Sequence, residues 1–393
     1  MDTSPERIAI NSGGGYVPGL NAVVTGAVLA ASRLGTEIVG IRDGYDGLLD
    51  DAYLQSGLVT LDPQIVETLE PGGGSILGAA PRHDPFRVRT ITVENFVEEV
   101  DRSDELLERL RAENIDAVIS VVGGSSITGS HALSVAFKLS RKGLPTVCIP
   151  KSVENDIAAT ALSFGYNSAL SHTTETLDRV ATGARDARRL AVVELLGYHA
   201  GWLALQSGIA ACAEAVLIPE IPYDLKAVAA HLTASERAGR RPSLVVVAEG
   251  ATPKDIRGGD ASADQLDSLR KSLSPLSDLR FGEGARVIDR SGSAAEKVAL
   301  ELQQLTDRET LPLTLGQLVR AGRPTALDRQ LGLSYGAAAV VALHGGTVGV
   351  MVAFEPPDVK LVPLAQAINK VRTVPLDSAF IQTARALGIC LGD

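Results

Sequence analysis

Pro150-Lys151-Ser152-Val153-Glu154-Asn155-Asp156 gathers a lysine, a hydroxyl, two carboxylates and an amide into one short run. It follows the apolar stretch Thr146-Val147-Cys148-Ile149, which reads as a buried strand bounded by proline and polar residues. A helical pattern resumes at Ala169. The polar run therefore sits at the carboxyl end of a strand, where open α/β sheets bind ligands. An acidic side chain beside a lysine suits general-base work on a substrate with a phosphate-like partner. The same residue types also serve as ordinary turn and cap residues in strand-to-helix loops, so the chain on either side has to decide.

Upstream, Arg7-Ile8-Ala9-Ile10 reads as a strand running into Asn11-Ser12-Gly13-Gly14-Gly15-Tyr16-Val17-Pro18-Gly19-Leu20-Asn21, followed by a helical pattern to about Leu34. A glycine-rich loop at a helix N-terminus lets backbone N–H groups cradle an anion. This loop has neither the lysine of a P-loop nor dinucleotide-fingerprint spacing. Glu37 to Ile41 is a second strand. The cluster Gly72-Gly73-Gly74-Ser75 leads to Pro81-Arg82-His83, where Arg82 is either a phosphate contact or an ordinary surface arginine. Leu106 to Glu113 reads helical. The strand Ala117–Val122 then ends in Gly123-Gly124-Ser125-Ser126, with a helix expected over His131–Leu139. Such strand-to-glycine junctions on one sheet edge argue for a doubly wound domain with a phosphate-rich ligand.

Downstream the rhythm restarts, with strands expected at Leu190–Leu195, Ala215–Ile218 and Ser243–Ala248 and helices at Leu225–Ala238 and Ala294–Gln304. This makes a second α/β unit. Residues 252–291 turn polar, with one helical stretch near Ala263–Leu273, and read as an insertion. The apolar helix Tyr335–Leu343 and strand Thr347–Phe354 are expected to return to the first unit. His231 and His344 read as structural.

With 393 residues, 45% of them hydrophobic, the chain can bury more than one core. A net charge of −10 leaves no basic footprint for nucleic acid, and does not exclude anionic substrates, since sites concentrate their cations locally. Cys148, Cys212 and Cys390 lack metal or redox spacing. No leader pattern opens the chain and no apolar run reaches membrane length. The expectation is a cytoplasmic protein with a small anionic substrate and neither nucleic-acid nor membrane partner.

Taken in order, the blocks GGGYVPGLN, GIRDGYDGL, the GGSS junction, PKSVENDI with FGYNSA, VVELLGYHAGWLALQSG, LGQLVRAGRP with LDR, and TVPLDS resemble the phosphofructokinases over nearly the whole chain. The resemblance implies two doubly wound α/β lobes with the active site in the cleft between them. A donor lobe would comprise 1–165 plus about 319–369, and a substrate lobe 166–318 plus about 370–393. It also implies ATP or pyrophosphate as donor, Mg²⁺, and a homodimer or homotetramer whose neighbouring subunits complete the acceptor sites.

The family's central motif is usually Thr-Ile-Asp-Asn-Asp, whose first Asp deprotonates the sugar hydroxyl. Matched to it, Ser152 takes the Thr position, Glu154 becomes the base on a longer stem, and Asp156 the metal-side carboxylate. Lys151 stands where pyrophosphate-dependent members carry lysine. Ser125 replaces the usual magnesium-binding Asp, and a hydroxyl is a poorer Mg²⁺ ligand than a carboxylate. The donor side would be Gly14, Gly15, Tyr16, Gly123, Gly124, Ser125 and Ser126, with Tyr16 in place of a usual Asp and large enough to occlude donor space. On the acceptor side Arg189, Glu249 and Arg320 are retained, whereas Leu196-Gly197-Tyr198 replaces Met-Gly-Arg and Gln317 replaces a histidine. Leu311 and Pro81 stand where arginines are common, with Arg82 adjacent.

Three readings follow. The chain is a phosphotransferase acting on fructose 6-phosphate or another anionic hydroxylated metabolite. Alternatively it is a catalytically impaired paralogue that binds a phosphorylated ligand, or a member recruited to a different reaction.

Overall fold

The computed structural model describes residues 4–53, 56–69, 73–79, 84–91, 97–123, 129–254 and 293–393. The expected helix near Ala263–Leu273, nearly all of the polar insertion, and Arg82, Gly124, Ser125 and Ser126 lie outside the described residues. The chain divides into two compact units, one of residues 1–169 and 320–372 and the other of 170–319 and 373–393.

The chain opens with β1 (Arg7–Gly13), α1 (Leu20–Leu34), β2 (Glu37–Ile41), α2 (Asp46–Leu49), β3 (Leu58–Leu61) and α3 (Pro63–Thr68). A hairpin of β4 (Val88–Ile91) and β5 (Val97–Val100) follows, then α4 (Ser103–Ala112), β6 (Ala117–Val122), α5 (Gly129–Arg141), β7 (Thr146–Pro150) and α6 (Tyr166–Asp186). Next come β8 (Leu190–Leu195), α7 (Trp202–Ala210), β9 (Ala215–Leu217), α8 (Leu225–Arg237), β10 (Leu244–Ala248), α9 (Ser293–Thr306) and β11 (Thr310–Thr314). A short 3₁₀ turn, Gly316–Arg320, leads to α10 (Ala326–His344), the hairpin β12 (Val350–Glu355) and β13 (Asp358–Pro363), and finally α11 (Ala379–Ala386).

In the first unit one sheet has the strand order β13-β12-β7-β6-β1-β2-β3. The inner strands run parallel, while β3 and β13 add antiparallel edges. β6 and β7 are buried along their whole length, as continuous apolar runs in a covered parallel sheet must be. From β1 the chain winds outward through β2 on one side, and through β6 and β7 on the other. The carboxyl ends of β1 and β6 therefore flank a topological switch point, where such sheets bind ligands. Helices α1 and α10 pack so closely that a Cβ on Gly26 would lie 2.1 Å from the Leu333 carbonyl oxygen, and one on Gly336 would lie 2.1 Å from that of Val23.

The second unit is built on a parallel sheet of order β11-β8-β10-β9. Its core joins Val192, Leu217, Val245 and Val247 of the strands to Val228 and Leu232 of α8 and Val298 and Leu302 of α9. Buried Glu194 on β8 ties α9 down, its Oε2 accepting from the amides of Ala294 and Ala295 at 2.8 and 2.9 Å. That carboxylate satisfies donors the first helical turn leaves open and meets the positive end of the helix dipole.

Several features depart from the sequence expectation, among them the β4–β5 hairpin. Helix α10 begins at Ala326 rather than near Tyr335, because Thr325 caps it by accepting from the Asp328 amide. Strand β11 was not anticipated; it carries Pro312 and is largely exposed, which only an edge position permits. The antiparallel edges β3 and β13 were also unforeseen. Among the described residues no helix is long and apolar enough to cross a membrane.

Candidate active site

The loop after β7 is fixed at every step. The Lys151 amide donates to the Val122 carbonyl and the Ser152 amide to that of Phe164. The Ser152 hydroxyl donates to Asp156 Oδ1 at 2.6 Å and accepts from the Glu154 amide at 3.0 Å. Between the two carboxylates Asn155 adopts a left-handed backbone with φ 54°, which asparagine tolerates better than most residues. Its side chain accepts from the Ser163 amide and donates to the Ala161 carbonyl. Ser152 thus orients Asp156, and the Asn155 turn separates Glu154 from Asp156.

The loop carries buried ionisable side chains, and buried Arg320 meets it. Lys151 is fully buried, and its Nζ donates to Ser12 Oγ on β1 at 2.8 Å. Burial, and secondarily the Arg320 guanidinium, push its ammonium down to about 7. Glu154 is 1% exposed, and its Oε1 lies 3.5 Å from Arg320 Nη2. Arg320 also donates from Nη1 to the Tyr16 carbonyl at 3.5 Å and closes against Gly15, where an added Cβ would stand 3.3 Å from Nη1. The first glycine loop and the 150–156 loop are therefore joined by one guanidinium. Gly123, at the end of β6, has φ 131°, and a Cβ there would lie 2.3 Å from the Lys151 carbonyl oxygen. Only glycine fits that approach.

Tyr16 does not stand free in the first loop. Its hydroxyl accepts from the Gly74 amide, while Asn21 Oδ1 accepts from the Ile76 amide at 3.0 Å. The first and second glycine clusters are thereby stitched together. Burial pushes the Tyr16 phenol up.

Mg²⁺ is usually held by one or two carboxylates, with substrate phosphates and water completing its shell. Among the described residues no group of three or more His, Cys, Asp or Glu side chains could hold a metal ion. Asp156, oriented by Ser152, fits the role of a single protein carboxylate in such a shell.

In the second unit the acceptor-side residues separate into two places. Leu196-Gly197-Tyr198 follows the carboxyl end of β8, and Glu249 follows that of the neighbouring β10. The Gly197 amide donates to Glu249 Oε1 at 3.4 Å, and the Tyr198 ring meets His199 edge-on at 4.7 Å between centroids. Gln317 lies in the turn after β11, the other neighbour of β8, at the same sheet edge. Arg189 is not with them. It precedes β8, roughly 20 Å away along the strand, and pairs with Glu309 at 2.7 Å on the surface.

The sequence reading missed Ser12 and Arg372. Ser12 lies at the start of the first glycine run, but nothing local marks it as a lysine's partner. Arg372 directly precedes the TVPLDS block and reaches back to the 150–156 loop, its amide donating to the Asp156 carbonyl at 2.8 Å.

The Phosphofructokinase family model matches residues 7–343. An ATP-dependent 6-phosphofructokinase of Chloroflexus aurantiacus is 36% identical over 396 residues, covering 100% of this chain and 99% of that protein. ATP-dependent 6-phosphofructokinase 3 of Streptomyces coelicolor is 37% identical over 373 residues, covering 94% of this chain and 96% of that one. In fold alone, the pyrophosphate-dependent phosphofructokinase of Nitrosospira multiformis superimposes with a TM-score of 0.72 at 18% identity, covering 99% of this chain and 93% of its own. With the two α/β units and matches that run almost end to end, the chain belongs to the phosphofructokinase family.

Proposed function

We propose that the chain transfers a phosphoryl group from ATP or pyrophosphate to a hydroxyl of fructose 6-phosphate or a related anionic metabolite. The buried Glu154–Arg320 pair beside Lys151, at the carboxyl ends of the first unit's strands, carries this reading. Glu154 would take the proton of the acceptor hydroxyl as its oxygen attacks the terminal phosphorus, and ADP or phosphate would leave. Lys151, with the amides of Gly14, Gly15 and Gly123, would balance charge on the transferred group, since such catalysis is mostly positioning and electrostatics. Asp156 would hold Mg²⁺, which supplies further neutralisation of phosphate charge. The names of the relatives support ATP, whereas Lys151 supports pyrophosphate. Glu249, Tyr198 and Gln317 would bind the acceptor.

The test offers purified protein ATP or pyrophosphate, Mg²⁺ and a panel of sugar phosphates led by fructose 6-phosphate, read by ³¹P NMR. Transfer from one donor is expected; no transfer from either donor to any acceptor overturns the reading. Ligand-induced thermal stabilisation without turnover would instead favour the impaired paralogue, the alternative that Ser125 supports.

Because Arg189 stands at the far end of β8, it would reach an acceptor only in another copy of the chain. A homodimer or homotetramer is therefore part of the proposal. Light scattering that shows an active monomer would remove Arg189 from the acceptor site.

A further inference from the structure

Val371 and Arg372 meet residues 155–157 through backbone and side-chain contacts. Val371 and Ile157 form an antiparallel bridge, the Arg372 amide donates to the Asp156 carbonyl at 2.8 Å, and Arg372 Nη1 donates to the Asn155 carbonyl at 3.2 Å. The first two are backbone contacts that any residue could make. The third depends on the guanidinium. It falls on the carbonyl of the left-handed residue that separates Glu154 from Asp156, so it bears on the turn from which both carboxylates leave. Asn155's own side chain bonds Ala161 and Ser163, while its carbonyl accepts from Arg372. Tyr166, at the start of α6, is near enough to the same guanidinium to interact with it electrostatically. Burial lowers the arginine's proton affinity and raises the phenol's, which leaves Arg372 charged and Tyr166 neutral at ordinary pH.

We propose that Arg372 is a positioning residue: by holding the Asn155 carbonyl, its guanidinium sets the direction in which Glu154 and Asp156 leave the loop. This rests on the proposed roles of those carboxylates. A charge-assisted bond to a carbonyl is stronger than a neutral one, and a small displacement of a catalytic group is costly in rate. Arg372 itself takes no proton and touches no reacting atom.

The test compares Arg372→Lys, Arg372→Gln and Arg372→Ala in the full chain, with Glu154→Gln as a control. Hydrogen exchange is measured by mass spectrometry over 150–158, alongside donor and acceptor kinetics. Without the guanidinium, exchange over 150–158 is expected to rise about tenfold or more, with the second unit unchanged. Turnover is expected to fall on the order of 10²-fold with KM nearly constant. Added guanidinium ion should restore part of the kcat of Arg372→Ala, and Arg372→Lys should be intermediate. Unchanged exchange over 150–158 overturns the proposal. So does a loss of turnover that guanidinium does not restore and that tracks a fall in global melting temperature. If the unaltered enzyme shows no transfer, or Glu154→Gln keeps full activity, the catalytic reading has failed, and the exchange measurement still decides whether Arg372 holds the loop.

Discussion

Glu154 Oε1 and Arg320 Nη2 stand 3.5 Å apart, with both side chains sealed from solvent. Removing either charge takes from the other its buried ion partner. Arg320→Met is expected to cost about 3–5 kcal/mol of stability, and the double variant Arg320→Met/Glu154→Gln distinctly less than the sum of the singles. A urea-denaturation double-mutant cycle checks this, and additive losses would show that the pair is not coupled. In turnover, Glu154→Gln should lose about 10²–10⁴-fold, the range expected when a general base is removed.

Lys151 gives a pH signature of definite sign. Its ammonium falls from an ordinary 10.5 to about 7 in the folded protein. Between those values the unfolded chain binds more protons than the native one, so stability rises with pH across the window. The stabilisation relative to the charged form is complete above 10.5 and lost as pH falls through about 7. The slope is at most about 1.4 kcal/mol per pH unit. Denaturant titrations from pH 6.5 to 10 should show this rise in the unaltered protein but not in Lys151→Met. Parallel curves would mean that Lys151 keeps its charge when buried.

Much of the architecture was legible because it is locally encoded. Strands β6 and β7 announce themselves as apolar β-branched runs, and a glycine junction marks the carboxyl end of β6 as the polar run from Lys151 marks that of β7. Two α/β units follow from the restart of the pattern at Leu190. Strand β11 was not legible, since Pro312 between Leu311 and Leu313 gives no buried-strand signal. The pairings within the site were hidden for a different reason. Arg320 meets Glu154, Lys151 meets Ser12 and Arg372 meets Asn155 only after long stretches of chain have folded back, and no spacing rule specifies such contacts. Arg189, retained in the family resemblance, lies at the opposite end of β8 from Tyr198.

Two helical glycines, one in the seam between α1 and α10 and one in α6, are expected to respond to substitution with opposite signs. A Cβ at Gly336 would lie 2.1 Å from the Val23 carbonyl oxygen and 2.7 Å from the Ala27 amide nitrogen. Gly336→Ala must therefore push two helix backbones apart, at about 1–3 kcal/mol or more. Gly183, exposed within α6, has nothing within 4 Å of its added Cβ. Gly183→Ala should stabilise by about 0.5–1 kcal/mol through helix propensity. Thermal melts of both variants decide the matter; a neutral Gly336→Ala would show that the helices do not approach so closely.

Glu194 supplies the last test, in the second unit. It is 1% exposed on β8, and its Oε2 takes both the Ala294 and Ala295 amides at the start of α9. Glu194→Ala would leave those donors buried without their acceptor and remove the charge facing the helix dipole, at a cost of about 1–3 kcal/mol. Glu194→Gln keeps an acceptor oxygen but not the charge, so it should lose less. The damage should also be local. Hydrogen exchange over 293–306 is expected to rise in Glu194→Ala, while β6 and β7 of the first unit keep their protection. Uniform loosening of both units would show that Glu194 supports the whole fold rather than the seat of α9.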